Sequence, residues 1–177
     1  MTKTYTAEEE KMKIEPDKVL VVKRNGEKII GRKFSKPGSF NIDGHWVKVD
    51  GIKYQLDELT AYQDTKAYYM QFGPIWVKQL KRGKINLFSY DQVTYNSMEM
   101  ANMPRKDETE THFVFQKGDG KLLELSVEAI SELLADNKRA QDEFNAQFKP
   151  GRVILPKQLQ NHPTVLFDVI DIYNGNK

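Results

Sequence analysis

Cysteine is absent from the 177-residue chain. That excludes disulfides, thiolate metal ligands and a cysteine nucleophile, and it leaves the compartment open. Histidine is scarce: His45, His112 and His162 are the three present, far apart and in no metal-ligand spacing. No apolar run has the length needed to cross a bilayer as a helix. The opening stretch, MTKTYTAEEEKMKIEPD, lacks the apolar centre of a signal peptide. The default compartment is then the cytoplasm, with export if a native signal precedes this sequence. The chain also lacks a Gly-rich phosphate loop ending in Lys-Ser/Thr, a His-Glu-x-x-His pair and a Gly-x-Ser-x-Gly elbow. On the sequence alone we assign no catalytic residue, no cofactor and no metal, and we read the protein as a non-enzyme.

What is present suits a soluble globular chain. Hydrophobic residues make up 39% and charged residues 29%, a balance that supports a packed core. Net charge is only +2, but it is unevenly spread. Residues 1–17 carry three basic and five acidic groups, whereas residues 18–100 carry fourteen basic and eight acidic ones. An excess of this kind favours an anionic partner, and an ordinary solvated face accounts for it as well.

Turn chemistry organises the first two thirds of the chain. In VLVVKRNGEKII, Asn25-Gly26 predicts a type I′ hairpin that sets Val22 opposite Ile29 and Val21 opposite Ile30. Both faces of that hairpin are then partly apolar, so it is expected to be covered on both sides. In HWVKVDGIKYQL, Asp50-Gly51 predicts Val49 opposite Ile52 and Val47 opposite Tyr54, with Lys48, Lys53 and Gln55 pointing away. A third hairpin is expected around Arg82-Gly83, with Ile75, Val77, Phe88 and Tyr90 on one face. The segment 96–111 reads as a long surface loop, either functional or disordered. A fourth hairpin, HFVFQKGDGKLLEL, is expected to turn at Gly118-Asp119 and pair Phe115 with Leu122. A turn at Asp119-Gly120, pairing Phe115 with Glu124, is the alternative.

The period changes at Ser126, a good N-cap. Val127, Ile130, Leu133 and Leu134 recur at helical spacing, the pattern loosens at Asp136-Asn137, and it resumes with Ala140, Phe144 and Phe148. One kinked helix and two short ones fit equally. In PTVLFDVIDIYNG, Pro163 suits a first helical turn, Leu166, Val169, Ile170 and Tyr173 make one stripe, and Gly175 follows as a stop. The β-branched content of this stretch leaves a strand open as the alternative. The expected class is α+β: an antiparallel β-rich body of several hairpins, with barrel-like closure as an option, followed by C-terminal helices packed on it. Residues 1–17 are expected to form a mobile arm. Residues 18–177 are expected to be one domain, β-rich over 18–125 and mainly helical over 126–177.

The most distinctive stretch runs from Tyr62 to Tyr95, dense in aromatics with bases among them. Aromatics interleaved with bases can stack nucleobases, and exposed aromatics also suit sugars or a protein partner. The candidate partner surface is Tyr68, Tyr69, Trp76, Lys78, Lys81, Arg82 and Lys84. A sheet core with a charged hairpin tip would explain the same residues. Asp57, Glu58 and Asp64 gather three carboxylates, but at no calcium-loop spacing.

Two resemblances rest on these residues. The string HWVKVDGIKYQLDELTAYQD, followed by AYY and KRGKINLF, resembles a family of uncharacterised exported bacterial β-rich proteins over residues 18–173. That likeness implies export and brings no activity and no functional residue. VLVVKRNGEKIIGRKF is similar to a hairpin of Sm-like small β-barrels, many of which bind RNA. The first reading is therefore a non-catalytic binding or structural module, envelope-associated, with a protein or an envelope polymer as partner. The alternative is a small-barrel nucleic-acid binder, and a third is an enzyme whose site is assembled from scattered residues.

Overall fold

The computed structural model describes residues 18–37, 45–94, 108–147 and 163–176. The expected N-terminal arm, 1–17, lies outside these residues, as do most of the expected loop 96–111, His162 and Phe148. The architecture is α+β. Eight strands follow one antiparallel order, β11-β10-β9-β8-β7-β6-β1-β2, and three form a second, β3-β4-β5. The longer order has two free ends, so it is an open sheet and not a closed barrel. By its internal contacts the chain divides into two compact units, Met1–Lys78 and Gln79–Lys177.

The first unit contains β1 (Val19–Lys23), β2 (Lys28–Gly31), β3 (Phe34–Ser35), β4 (Trp46–Val49), β5 (Ile52–Gln55), β6 (Leu59–Gln63) and β7 (Tyr68–Phe72), and the first four residues of β8 (Ile75–Lys81). Its core is formed by Val19, Val21, Val47, Val49, Tyr54, Leu59 and Tyr62. The Asp50-Gly51 hairpin has the predicted register, Val49 with Ile52 and Val47 with Tyr54. Both turn residues have positive φ, 50° and 87°, as a type I′ turn requires. The Asp50 carboxylate also accepts the backbone N–H groups of Arg32 (3.0 Å) and Lys33 (2.9 Å), which tie β3 to this turn. Those two bonds hold the Asp50 carboxyl below the usual carboxylate range.

The first hairpin departs from expectation by one residue. Val21 pairs with Ile29 and Leu20 with Ile30. Only Gly26 adopts positive φ, 84°, and the Lys23 N–H donates to Glu27 O at 2.9 Å. The loop is thus three residues, Arg24 to Gly26, with glycine at its left-handed position. Within this loop the Arg24 guanidinium donates to the Asp57 carbonyl and, at 2.9 Å, to the Gln71 amide oxygen. The slip leaves Ile30 57% exposed, while Val19, Leu20 and Val21 bury both faces of β1. Strands β6 and β7 fall in the stretch that turn signals alone did not resolve.

The second unit holds the end of β8, then β9 (Ile85–Thr94), β10 (Glu108–Lys117), β11 (Leu123–Glu124) and the helices α1 (Val127–Leu134), α2 (Lys138–Gln147) and α3 (Pro163–Asn174). Residues 108–111, expected in a loop, instead continue β10 opposite Thr94–Asp91. The last hairpin pairs Phe115 with Leu123, midway between the two predicted registers. Its loop takes three residues, Gly118 to Gly120, opening with Gly118 at φ 54°.

Ser126 caps α1, its hydroxyl accepting the Ala129 N–H at 3.0 Å. Asn137 does the same for α2 through the Ala140 N–H at 3.1 Å, so the loosening at Asp136-Asn137 is a true helix boundary. The last segment is a helix, not a strand. It ends with Gly175 at φ 77° and with bonds from Gly175 N to Ile172 O and from Asn176 N to Asp171 O, the glycine-terminated C-cap. All three helices pack on β9 and β10 through one core. It includes Ile85, Leu87, Phe113, Phe115, Ile130, Leu134, Phe144, Leu166, Ile170 and Tyr173.

Candidate functional site

The seven candidate residues are divided between the two units. Tyr68, Tyr69, Trp76 and Lys78 belong to the first unit, and Lys81, Arg82 and Lys84 to the second. Within the first unit the alternation of the strands separates them further. Tyr68 pairs with Gln63 and Tyr69 with Tyr62, so the two neighbours face opposite sides of the sheet. Tyr69 pairs with Lys78 and Gln71 with Trp76, which brings Tyr69, Trp76 and Lys78 to the same side.

That side has an aromatic floor. Tyr62 is buried and stacks on Tyr69 at 4.7 Å between ring centroids, on Phe34 at 5.7 Å, and against Trp76 at 5.0 Å. Tyr69 and Trp76 are half-buried and pack against the first unit's core. Desolvation, reinforced by Tyr69 and Asp64, pushes the Tyr62 phenol from 10.0 up to about 12. Burial and the Asp64 carboxylate push Tyr69 up as well. Two lysines neighbour Tyr69: Lys36 Nζ lies 5.8 Å from its ring centroid, and Lys78 is its exposed partner across the ladder. Lys36 lies upstream of the aromatic-rich stretch, so a search for local clusters passes it by.

In the second unit Lys81 is engaged. Its Nζ lies 2.8 Å from Asp171 Oδ2 and 5.6 Å from the Phe167 ring centroid. It anchors α3, and its charge is offset. Arg82 and Lys84 follow in the exposed β8–β9 loop.

The other sequence candidates find structural roles. Asp64 Oδ1 accepts the Lys66 and Ala67 N–H groups at 2.8 Å each, which builds the β6–β7 turn. Asp57 and Glu58 lie in a short 3-10 turn, Leu56–Glu58. His112 stacks on Tyr90 at 5.0 Å, with Glu110 Oε2 4.0 Å from its Nε2. Among the described residues no three His, Cys, Asp or Glu side chains gather as metal ligands would. No described helix is long and apolar enough to cross a membrane.

A further group lies on the outward face of β4 and β5. Trp46 pairs with Gln55 and Lys48 with Lys53. Lys48 Nζ and Lys53 Nζ lie 5.1 and 5.3 Å from the centroid of the Trp46 ring. The predicted Asp50-Gly51 register already implied this pairing, and it could have been read from the sequence. Against protein-family models, curated proteins and solved structures alike, the chain shows no match.

Proposed function

We propose that the protein is a non-catalytic binding module whose first unit takes an anionic polymer on the sheet face that carries Tyr69. One observation carries this reading: Tyr69, half-exposed and stacked on Tyr62, is bordered by Lys36 over its ring and by Lys78 across the ladder. An aromatic cluster with cations at its rim suits a chain of sugars or bases joined by anionic groups. Charge balance supports the same conclusion, since residues 18–78 contain eleven basic and six acidic side chains. Such an excess raises the local concentration of polyanions. The resemblance to exported β-rich proteins supports the narrower proposal that the polymer belongs to a bacterial envelope.

The test is a titration of the full chain with dextran sulfate, with a single-stranded oligonucleotide and with uncharged dextran. Dextran sulfate should bind, and binding should weaken steeply with salt as counterion release is lost. Lys78→Gln and Lys36→Gln should each weaken it and flatten the salt dependence. Binding confined to the oligonucleotide would replace the envelope polymer with nucleic acid. No binding to either polyanion would end the proposal.

A further inference from the structure

Lys48 and Lys53 stand directly opposite each other on adjacent strands. Like charges at facing positions of a sheet destabilise it, and the register leaves no escape. A one-residue slip would separate them but would turn either Val47 and Val49 or Tyr54 out of the core. Both side chains lean on Trp46, whose ring face attracts each ammonium. The indole has no net charge, so two positive charges remain. Among the described residues neither lysine forms an ion pair. On the next strand Ser35 pairs with Lys48, so its exposed hydroxyl extends the row across all three strands. A repulsive pair kept in a register that the turn and the core both enforce marks a place where function overrides local stability.

We propose that Ser35, Lys48, Lys53 and Trp46 form a site for a phosphate dianion, either inorganic phosphate or the phosphate of a monoester. A single phosphate carrying about two negative charges neutralises both lysines at once, whereas a carboxylate neutralises one. Strands about 4.8 Å apart set the donors of the row at intervals that separate oxygens of one tetrahedral group can span. Each ammonium donates a charge-assisted hydrogen bond to its own oxygen. The Trp46 ring lies beneath both ammonium groups and keeps them on the same side of the sheet. This site uses residues other than those of the Tyr69 face, so it stands or falls separately from the polymer-binding proposal.

The experiment is a nuclear magnetic resonance titration of the full chain with inorganic phosphate at mildly alkaline pH, against sodium chloride at matched ionic strength. The Trp46 indole signal is identified through Trp46→Phe. Phosphate should give saturable shifts at the Trp46 indole and at the Ser35, Lys48 and Lys53 amides, and chloride should not. Lys48→Gln and Lys53→Gln should each weaken binding by roughly tenfold or more, since a charge-assisted bond is lost. Their urea midpoints without phosphate should equal or exceed that of the wild type, because repulsion is relieved. Lys66→Gln, elsewhere on the same unit, should bind phosphate as the wild type does. Dimethyl phosphate, a monoanion, should bind more weakly than phosphate. Equal shifts with chloride, unchanged binding in either lysine variant, or equal affinity for the monoanion would overturn the proposal.

Discussion

The side-chain amide of Asn174, at the end of α3, pairs with both backbone groups of Ile85. The Ile85 N–H donates to Asn174 Oδ1 at 2.9 Å, and Asn174 Nδ2 donates to Ile85 O at 3.0 Å. One side chain thus imitates a neighbouring strand residue at the start of β9. The contact depends on Gly83, where any Cβ would collide with the Asn174 amide. Asn174→Ala should lower stability by about 1–3 kcal/mol, because it leaves part-buried backbone groups unpaired. Gly83→Ala should cost a comparable amount by pushing the amide away. Urea midpoints of the single and double variants check this: the two losses should not add, since they remove the same contact.

Tyr173 is buried in the helix–sheet core while its hydroxyl donates to Asp136 Oδ1 at 2.8 Å. Tyr173→Asp should lower stability by roughly 2–4 kcal/mol, as a charge placed in a packed site does. Tyr173→Phe should cost less, because the ring stays in place beneath Lys117, whose Nζ lies 5.3 Å from its centroid. Chemical denaturation of both variants measures the difference. A wild-type midpoint for Tyr173→Asp would mean that α3 contributes nothing to the fold.

Acid should weaken the same cluster. The Lys117 ammonium and the Tyr173 hydroxyl hold the Asp136 carboxyl below its ordinary value. A depressed carboxyl contributes stability above its unfolded pKa and loses it as pH falls through the folded one. Asp136→Asn should therefore be less stable than the wild type near neutrality, and the gap should close on acidification. Lys117 is shifted up by Asp136 and Tyr173. Its contribution is complete below the ordinary lysine value and is lost as pH rises through the raised one. Urea midpoints of wild type, Asp136→Asn and Lys117→Met across pH test both directions.

The Tyr62 phenol, pushed up to about 12, should remain protonated after exposed tyrosines have ionised. Its contribution to stability is complete below the ordinary tyrosine pKa and is lost as pH rises towards the folded value. An ultraviolet titration of phenolates should show late ionisation that is reduced by one group in Tyr62→Phe. An unchanged titration in that variant would refute the assignment.

Local chemistry was legible wherever one short segment determines the outcome. Asp50-Gly51 specified its own register because both residues tolerate positive φ and the apolar alternation agreed with it. Ser126 as a cap, the stripe from Leu166 to Tyr173 and the stop at Gly175 were readable for the same reason: each depends on residues within one or two turns. The order of classes, strands and then helices, followed from the change of hydrophobic period.

Tertiary contacts decided the rest. Asn25-Gly26 had the same local signal as Asp50-Gly51, yet Arg24 bonding to Asp57 and Gln71, residues distant in sequence, accompanies a longer loop that shifts the register by one. The aromatic-rich stretch looked like one surface until strand alternation put Tyr68 and Tyr69 on opposite faces. Lys81 looked available until α3 brought Asp171 to it, ninety residues away in sequence. A sequence by itself determines which conformations a short segment prefers. Whether a charged or aromatic side chain is buried, neutralised or presented to a partner depends on what distant segments place beside it, because burial and ion pairing are properties of neighbours in space.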